Sequence, residues 1–170
     1  MILDLTEFLR DDVKDANYDF TLENLPEELQ DLGIHLPLQY HIYVYKIANI
    51  LEVETNVDLR YTCYCNRCLK KLSRSMNLSL ESTYPLDSEL IDFYEEDPNS
   101  DLLILDNNKI DTTKLVRDII VSKMPMREIC SEDCKGLCPK CGADLNKEEC
   151  NCDDFTIDPR LEALSAFKPD

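Results

Sequence analysis

Three successive runs between Leu38 and Tyr84 alternate between apolar and polar residues. The second run covers residues 51–65 and the third covers residues 76–84. The first run places four apolar side chains on one face: Leu38, Tyr40, Ile42 and Val44. Because successive side chains of a strand point to opposite sides, a period of two puts all apolar residues on one surface. The pattern predicts an antiparallel meander over residues 38–84 with one buried face.

Shorter elements are predicted on either side of this meander. Tyr18, Phe20 and Leu22 alternate with polar residues and predict a further strand, followed by a short helix over Pro26–Leu32 that Gly33 ends. Later in the chain, Asp111 or Thr112 is expected to cap a helix that Pro125 ends. That helix carries an apolar side that should pack on the sheet: Leu115, Val116, Ile119 and Ile120.

The other connections are predicted from composition. Residues 85–101 are rich in acid and are expected to form a surface loop. A short hairpin is expected over Leu102–Leu105 with a turn at Asn107-Asn108, and Asp158-Pro159 is expected to open a last helix. The predicted fold is therefore α+β: an antiparallel meander packed by a few short helices, with a C-terminal cysteine-rich zinc-binding segment. The predicted domains are an α+β core over residues 1–127 and the cysteine-rich segment over residues 128–170.

Six of the nine cysteines lie between Cys130 and Cys152. Pairs of cysteines separated by one or two residues can reach a single ion, and four thiolates around a tetrahedral zinc leave no position for water. The spacing predicts a structural Zn²⁺ site with the ligands Cys138, Cys141, Cys150 and Cys152. Cys130 and Cys134 are alternates, either as replacements for one of these pairs or as free thiols at a helix end.

A disulfide framework is the alternative explanation for so many cysteines, and it belongs to oxidising compartments. The segment Met1–Leu5 becomes acidic at once and lacks the basic start of a signal peptide. No run approaches the roughly 18 apolar residues that a membrane span needs. We therefore expect a cytoplasmic protein without membrane association, whose clustered cysteines bind metal.

A second cysteine motif, Cys65-Asn66-Arg67-Cys68, lies at the predicted turn between two long strands. A C-x-x-C turn can be a zinc knuckle, a redox pair or a tight hairpin. A redox pair usually begins a helix, and no helix is predicted here. Two cysteines need two further ligands to close a structural metal site. Cys63 is expected to be a small buried apolar residue.

The same turn is basic in a protein whose formal net charge is −17. No acidic residue occurs between Asp58 and Glu81. With tyrosines among its cations, the turn could contact RNA or another partner. The candidate contact residues are Arg60, Tyr64, Arg67, Lys70, Lys71 and Arg74. Solvated strand ends would produce the same pattern.

The acidity of the rest of the chain bears on its partners. Such a chain repels phosphate over most of its surface, which favours a basic protein partner over non-specific nucleic acid. The alternative is that the charge only keeps the protein soluble.

The two cysteine motifs resemble the signatures of a known family. Cys65, Arg67, Cys68 and Leu69 resemble a C-x-R-C-L motif, and Cys130–Cys152 resembles a longer motif that reads C-S-E-D-C-K-G-L-C-P-x-C-G-x-x-L-N and then C-x-C. Both belong to the YceD family, proteins associated with accumulation of large-subunit ribosomal RNA. Some members keep the first motif and lack the terminal cysteines, which implies that the shared function lies near the turn.

The resemblance implies a non-enzymatic accessory factor in large ribosomal subunit biogenesis, acting in 23S rRNA processing or accumulation. The expected partners are ribosomal proteins or large-subunit precursor particles, with rRNA contacted through the basic turn. Two alternatives remain open: a thiol redox protein using Cys65 and Cys68, and a zinc-ribbon adaptor in transcription.

Overall fold

A computed structural model describes residues 1–87, residues 105–152 and Arg160. Its elements in chain order are β1 (Ile2–Asp4), α1 (Thr6–Arg10), β2 (Asp15–Leu22), a 3-10 helix (Glu27–Leu32), β3 (Leu38–Ile47), β4 (Ile50–Tyr64), β5 (Lys71–Pro85), β6 (Lys109–Asp111) and α2 (Thr112–Lys123). Neither α1 nor α2, the α-helices of these ranges, has the length and apolar character needed to cross a bilayer.

The central sheet has four antiparallel strands in the order β2-β3-β4-β5, and β1 pairs with β6 in a separate two-stranded sheet. Burial alternates along the strands as the sequence predicts: in β4, the odd-numbered residues from Leu51 to Tyr61 are buried and their neighbours face outward. The α+β prediction and the antiparallel meander are confirmed. The strand predicted around Tyr18–Leu22 is β2, which joins the meander at its edge.

Helix α2 covers the inner face of the sheet and contacts β4 and β5. Its four predicted apolar residues, Leu115, Val116, Ile119 and Ile120, are all buried in the core. Asp111 caps the helix, since its carboxylate Oδ1 accepts hydrogen bonds from the backbone N–H groups of Thr113 at 3.1 Å and Lys114 at 3.3 Å. The cap satisfies two of the amides that a helix start leaves without partners.

The turn predictions have mixed outcomes. The helix predicted at Pro26–Leu32 is a 3-10 helix, and Gly33 ends it with φ 67°. Asn107 and Asn108, with φ of 53° and 60°, make the turn between the bridged residues Asp106 and Lys109. The hairpin residues 102–104, most of the acidic connector and nearly all of the last helix lie outside the described residues.

Strands β4 and β5 continue past the end of β3 and form a long hairpin that closes at residues 65–70, called here the hairpin tip. Residues 33–35 lie against this extension of β4. Ile34 bridges Tyr61, and the Thr62 N–H donates to the Gly33 carbonyl oxygen at 2.8 Å. The chain therefore supports the hairpin from the side just before β3 begins.

Replacing Gly33 by alanine should destabilise the protein more than replacing Gly142 by alanine. Both glycines have positive φ, so either alanine carries about 1–2 kcal/mol of backbone strain. A Cβ on Gly33 would lie 2.2 Å from the Thr62 carbonyl oxygen, whereas one on Gly142 would meet nothing within 4 Å. Such overpacking adds about 1–3 kcal/mol. Urea denaturation measures both free energies of unfolding, and equal losses would contradict the clash.

Candidate metal centres at the hairpin tip

The hairpin tip and the segment that follows α2 together form one group of four thiols. Cys65 and Cys68 come from the tip, and Cys130 and Cys134 come from the segment. Their sulfurs all lie within 4.8 Å of one another. The Cys65 and Cys134 sulfurs are 3.9 Å apart, and those of Cys68 and Cys130 are 3.7 Å apart. Because this group joins positions more than sixty residues apart, we call it the inter-segment cluster.

A second group lies entirely in the C-terminal part of the chain. Its sulfurs also lie within 4.8 Å of one another, and its members are Cys138, Cys141, Cys150 and Cys152. These are the four residues whose spacing predicts a zinc site, and we call the group the C-terminal cluster. The alternates Cys130 and Cys134 lie in the inter-segment cluster, in turns and irregular chain rather than at a helix end. Cys63 is half-buried and belongs to neither cluster.

Each cluster contains the same tight C-x-x-C turn. In the tip, the Leu69 N–H donates to the Cys65 carbonyl oxygen at 2.9 Å, and in the C-terminal cluster the Gly142 N–H donates to the Cys138 carbonyl oxygen at 2.9 Å. The residue after the second cysteine has positive φ in both turns, 58° for Leu69 and 76° for Gly142. Such a turn directs backbone N–H groups at the first sulfur, which is an arrangement suited to a thiolate ligand.

The first thiol of each turn has a lowered pKa. Burial opposes ionisation of Cys65, but the backbone N–H groups of Cys68, Arg67 and Cys130 outweigh it and lower the pKa of this thiol to about 6. The backbone N–H groups of Cys141 and Lys140 likewise lower the pKa of Cys138 to about 6. The lowered pKa favours the thiolate form of both sulfurs, which is the form that binds a metal ion.

Two further thiols of each cluster have a raised pKa: Cys68 and Cys130 in the inter-segment cluster, and Cys150 and Cys152 in the C-terminal cluster. At Cys68 the Lys70 N–H lowers the pKa, but burial and the three neighbouring thiols outweigh it and raise the pKa to about 12. Hydrogen bonds with Cys141 and Cys138 raise the pKa of Cys152 to about 12. Four sulfurs this close cannot all be negative without a compensating charge. A divalent cation supplies that charge, so the donor set of each cluster fits a metal ion.

Backbone hydrogen bonds join the C-terminal segment to the hairpin tip around the inter-segment cluster. The Asn66 N–H donates to the Glu128 carbonyl oxygen at 2.8 Å, and the Leu137 N–H donates to the Arg67 carbonyl oxygen at 3.1 Å. The Arg67 Nη1 donates to the carbonyl oxygens of Glu132 at 2.8 Å and Cys134 at 2.9 Å. Arg67 therefore orients the chain that carries two of the four thiols.

A buried tyrosine provides a further connection. The Tyr61 hydroxyl donates to Glu128 Oε1 at 2.5 Å, and Glu128 Oε2 accepts from Arg74 Nε at 3.3 Å. Arg74 Nη2 also donates to the Ile129 carbonyl oxygen at 2.7 Å. Burial, followed by the hydrogen bond to the Glu128 carboxylate, raises the pKa of Tyr61. Glu128 is not among the predicted site residues, because nothing in the local sequence marks it as the partner of a residue 67 positions earlier.

The structure divides the predicted contact residues into two groups. Arg67 and Arg74 bind carbonyl oxygens and Glu128 of the C-terminal segment, as described above. The others are exposed at the hairpin: Arg60, Tyr64, Lys70 and Lys71. Tyr64 lies directly opposite Lys71 in the β4–β5 register, so the two share one face of the sheet. Leu69, in the same turn, is 63% exposed although its side chain is apolar, and its backbone has a positive φ.

These features define the chain as a small α+β protein with two four-cysteine clusters around a long β-hairpin. The family described as large ribosomal RNA subunit accumulation protein YceD matches residues 53–168. This range contains most of the hairpin and all nine cysteines. The chain belongs to the YceD family.

Curated relatives resemble shorter stretches of the chain. An Arabidopsis thaliana protein named large ribosomal RNA subunit accumulation protein YCED homolog 1, chloroplastic, is 46% identical over 44 residues, which are 26% of this chain and 14% of that protein. Its Zea mays counterpart of the same name is 40% identical over 63 residues, 36% of this chain and 22% of the relative. An uncharacterized Mycobacterium tuberculosis protein is 32% identical over 102 residues, 59% of this chain and 47% of the relative. The chain thus spans less than half of each relative. No solved structure matches it.

Replacing Tyr61 by phenylalanine should lower the free energy of unfolding by about 1.5–3 kcal/mol, the usual value of a hydrogen bond to a charged group. Tyr61 is 2% exposed and donates to the Glu128 carboxylate, which Arg74 still neutralises in the variant. Tyr64→Phe is the matched control, because Tyr64 is 61% exposed on the same strand and should change stability by less than about 0.5 kcal/mol. Thermal and urea denaturation compare the two, and equal stabilities would contradict the assigned hydrogen bond.

Proposed function

We propose that this protein is a non-enzymatic accessory factor in large ribosomal subunit biogenesis that supports the processing or accumulation of 23S rRNA. Membership of the YceD family, which is named for accumulation of large-subunit ribosomal RNA, carries this proposal. The relatives from Arabidopsis thaliana and Zea mays carry the same words in their names. Ribosomal proteins or large-subunit precursor particles are the proposed partners, and the proposed location is the cytoplasm.

The proposed contact surface is the exposed side of the hairpin end, called here the tip surface: Arg60, Tyr64, Leu69, Lys70 and Lys71. Its three cations are exposed in a chain of net charge −17. Cations beside an exposed tyrosine suit phosphate contact and base stacking. An exposed leucine held at positive φ supports a contact role as well, because strained residues concentrate at functional positions.

The far end of the same sheet face has the opposite charge. Glu54 lies directly opposite Glu81, and Tyr43 lies opposite Glu54 on its other side. Desolvation and then the carboxylates of Glu52, Glu81 and Glu54 raise the pKa of Tyr45, which reflects the density of negative charge there. Carboxylates and aromatic rings together suit lysine and arginine side chains. This end supports contact with a basic ribosomal protein.

Charge reversal at Lys70 and Lys71 together, each to glutamate, should reduce co-sedimentation with large-subunit precursors at least several-fold, because the charge that attracts phosphate is inverted. The same variant should fail to restore 23S rRNA in cells depleted of the protein. Lys14→Glu with Lys123→Glu is the control, since it makes the same change in net charge at exposed residues outside the hairpin.

Two outcomes would contradict these proposals separately. Normal 23S rRNA in depleted cells would overturn the role in biogenesis. Full co-sedimentation by the Lys70 and Lys71 variant would overturn the tip surface and leave the biogenesis role standing. The salt dependence of binding tests whether the protein contacts rRNA directly. If it does, the slope of log binding constant against log salt concentration should fall in magnitude by about 1 for each phosphate-bound cation that is removed.

We also propose that the ion of the C-terminal cluster is Zn²⁺ in a structural role. Four thiolates favour zinc and leave no open position for a reacting water. Protein purified without added zinc should retain the metal in elemental analysis, and Cys141→Ser should lose the ion of this cluster because one of its four ligands is gone. A zinc content of Cys141→Ser equal to that of the wild-type protein would contradict this ligand set.

The geometry at Cys65 and Cys68 favours metal binding over the redox alternative. Each thiol of the motif also has a partner in the C-terminal segment: the Cys65 and Cys134 sulfurs are 3.9 Å apart, and those of Cys68 and Cys130 are 3.7 Å apart. Strand β5 follows the motif, whereas a redox pair usually begins a helix. A fast-reacting Cys65–Cys68 pair with an oxidising potential would support the redox protein instead. Binding to RNA polymerase in place of ribosomal precursors would support the transcription adaptor.

A further inference from the structure

The inter-segment cluster combines a C-x-x-C pair with a pair spaced four residues apart, drawn from two segments that approach only in the folded chain. Cys65 and Cys134 are buried, and Cys68 and Cys130 are half-buried. Four sulfurs within 4.8 Å satisfy the ligand count of a closed tetrahedral site. We propose that this cluster is a second structural Zn²⁺ site, which holds the C-terminal segment against the hairpin tip. The site does not depend on the proposed role in ribosome biogenesis.

The hydrogen bonds around these sulfurs are those expected for thiolate ligands. The Cys130 N–H donates to Cys65 Sγ at 3.4 Å, and the Asn146 side-chain Nδ2 donates to Cys134 Sγ at 3.6 Å. Asn146 Oδ1 in turn accepts from the Lys135 N–H at 2.8 Å. Donors aimed at sulfur orient a metal ligand and reduce its negative charge, which is the usual role of groups around a metal centre.

The equivalence of the two C-x-x-C turns supports the assignment. Cys65, Cys68 and Leu69 occupy the positions that Cys138, Cys141 and Gly142 occupy in the C-terminal cluster, with the same backbone hydrogen bond of 2.9 Å. The turn at the tip keeps this geometry although its last residue is a leucine, which costs about 1–2 kcal/mol in the left-handed region. Metal binding at the two sulfurs of the turn would offset this strain.

A disulfide framework is the competing arrangement. The two close sulfur pairs are 3.9 Å and 3.7 Å apart, well beyond the roughly 2.05 Å of a bonded pair. Each thiol is also near all three others, which a disulfide would not require. Zinc satisfies the four together.

The second site has a structural consequence for the rest of the C-terminal segment. Cys138 of the C-terminal cluster follows Cys134 by four residues, so the position of the inter-segment cluster sets where the C-terminal cluster begins. Exposed Cys141 makes the C-terminal cluster the more accessible to a chelator. We therefore expect a chelator to remove the ion of the C-terminal cluster before the ion of the inter-segment cluster.

The test is metal content measured together with protein concentration on the full chain. The wild-type protein should contain two zinc ions per chain, and Cys65→Ser and Cys130→Ser should each contain one. Cys141→Ser should also contain one, and the double variant Cys65→Ser with Cys141→Ser should contain none. Cys63→Ser is the matched control, because Cys63 lies two residues from Cys65 outside both clusters, and it should retain two ions.

Hydrogen exchange provides a readout that metal counting does not. Loss of the inter-segment ion should speed exchange at least tenfold at the Asn66 and Leu137 amides, which bond between the two segments. The β3–β4 amides should keep their protection, which also shows that the variant is folded. Three outcomes would each overturn the proposal. The wild-type protein could contain one zinc ion, or Cys65→Ser could keep the wild-type metal content. The native protein could also be metal-free, with a mass that shows two disulfides.

Discussion

The attachment of the C-terminal segment to the end of the β4–β5 hairpin is the contact on which the candidate site depends. Strand β4 runs past β3, so its last residues need support that the four-stranded sheet does not give. Residues 33–35 provide it on one side, and Tyr61, Glu128 and Arg74 connect the hairpin to the returning chain. Because Glu128 is neutralised by Arg74, a carboxylate can sit beside a buried tyrosine without remaining uncompensated.

The basic side chains at the hairpin fall into two groups. Arg67 and Arg74 point their donors at carbonyl oxygens and a carboxylate of the same chain, so they stabilise the fold. Lys70, Lys71 and Arg60 remain exposed beside Tyr64 and Leu69. Sequence composition treats all five cations alike, because a basic run carries no information on which side chains meet an acceptor inside the fold. The distinction requires the position of the C-terminal segment.

Much of the fold was predictable because its signals are local. Alternation over residues 51–65 sets the inner face of β4, and Asp111 followed by apolar residues at helical spacing sets the start of α2. The C-terminal cluster has the same character, since its four cysteines lie within fifteen residues. The inter-segment cluster was not predicted. Cys65 and Cys68 lacked a second pair in the sequence nearby, and Cys130 and Cys134 were expected to serve the C-terminal cluster or to remain free.

The sequence by itself determined the antiparallel meander, the buried faces, the helix α2 and the four cysteines of the C-terminal cluster, because each follows from spacing along a short stretch of chain. The tertiary structure decided which cysteines join Cys65 and Cys68, which arginines bond to the C-terminal segment, and that Glu128 accepts from Tyr61 and Arg74. These features join residues 54 to 69 positions apart. No periodicity links such positions, and their pairing exists only once the sheet has placed the hairpin tip beside the chain that follows α2.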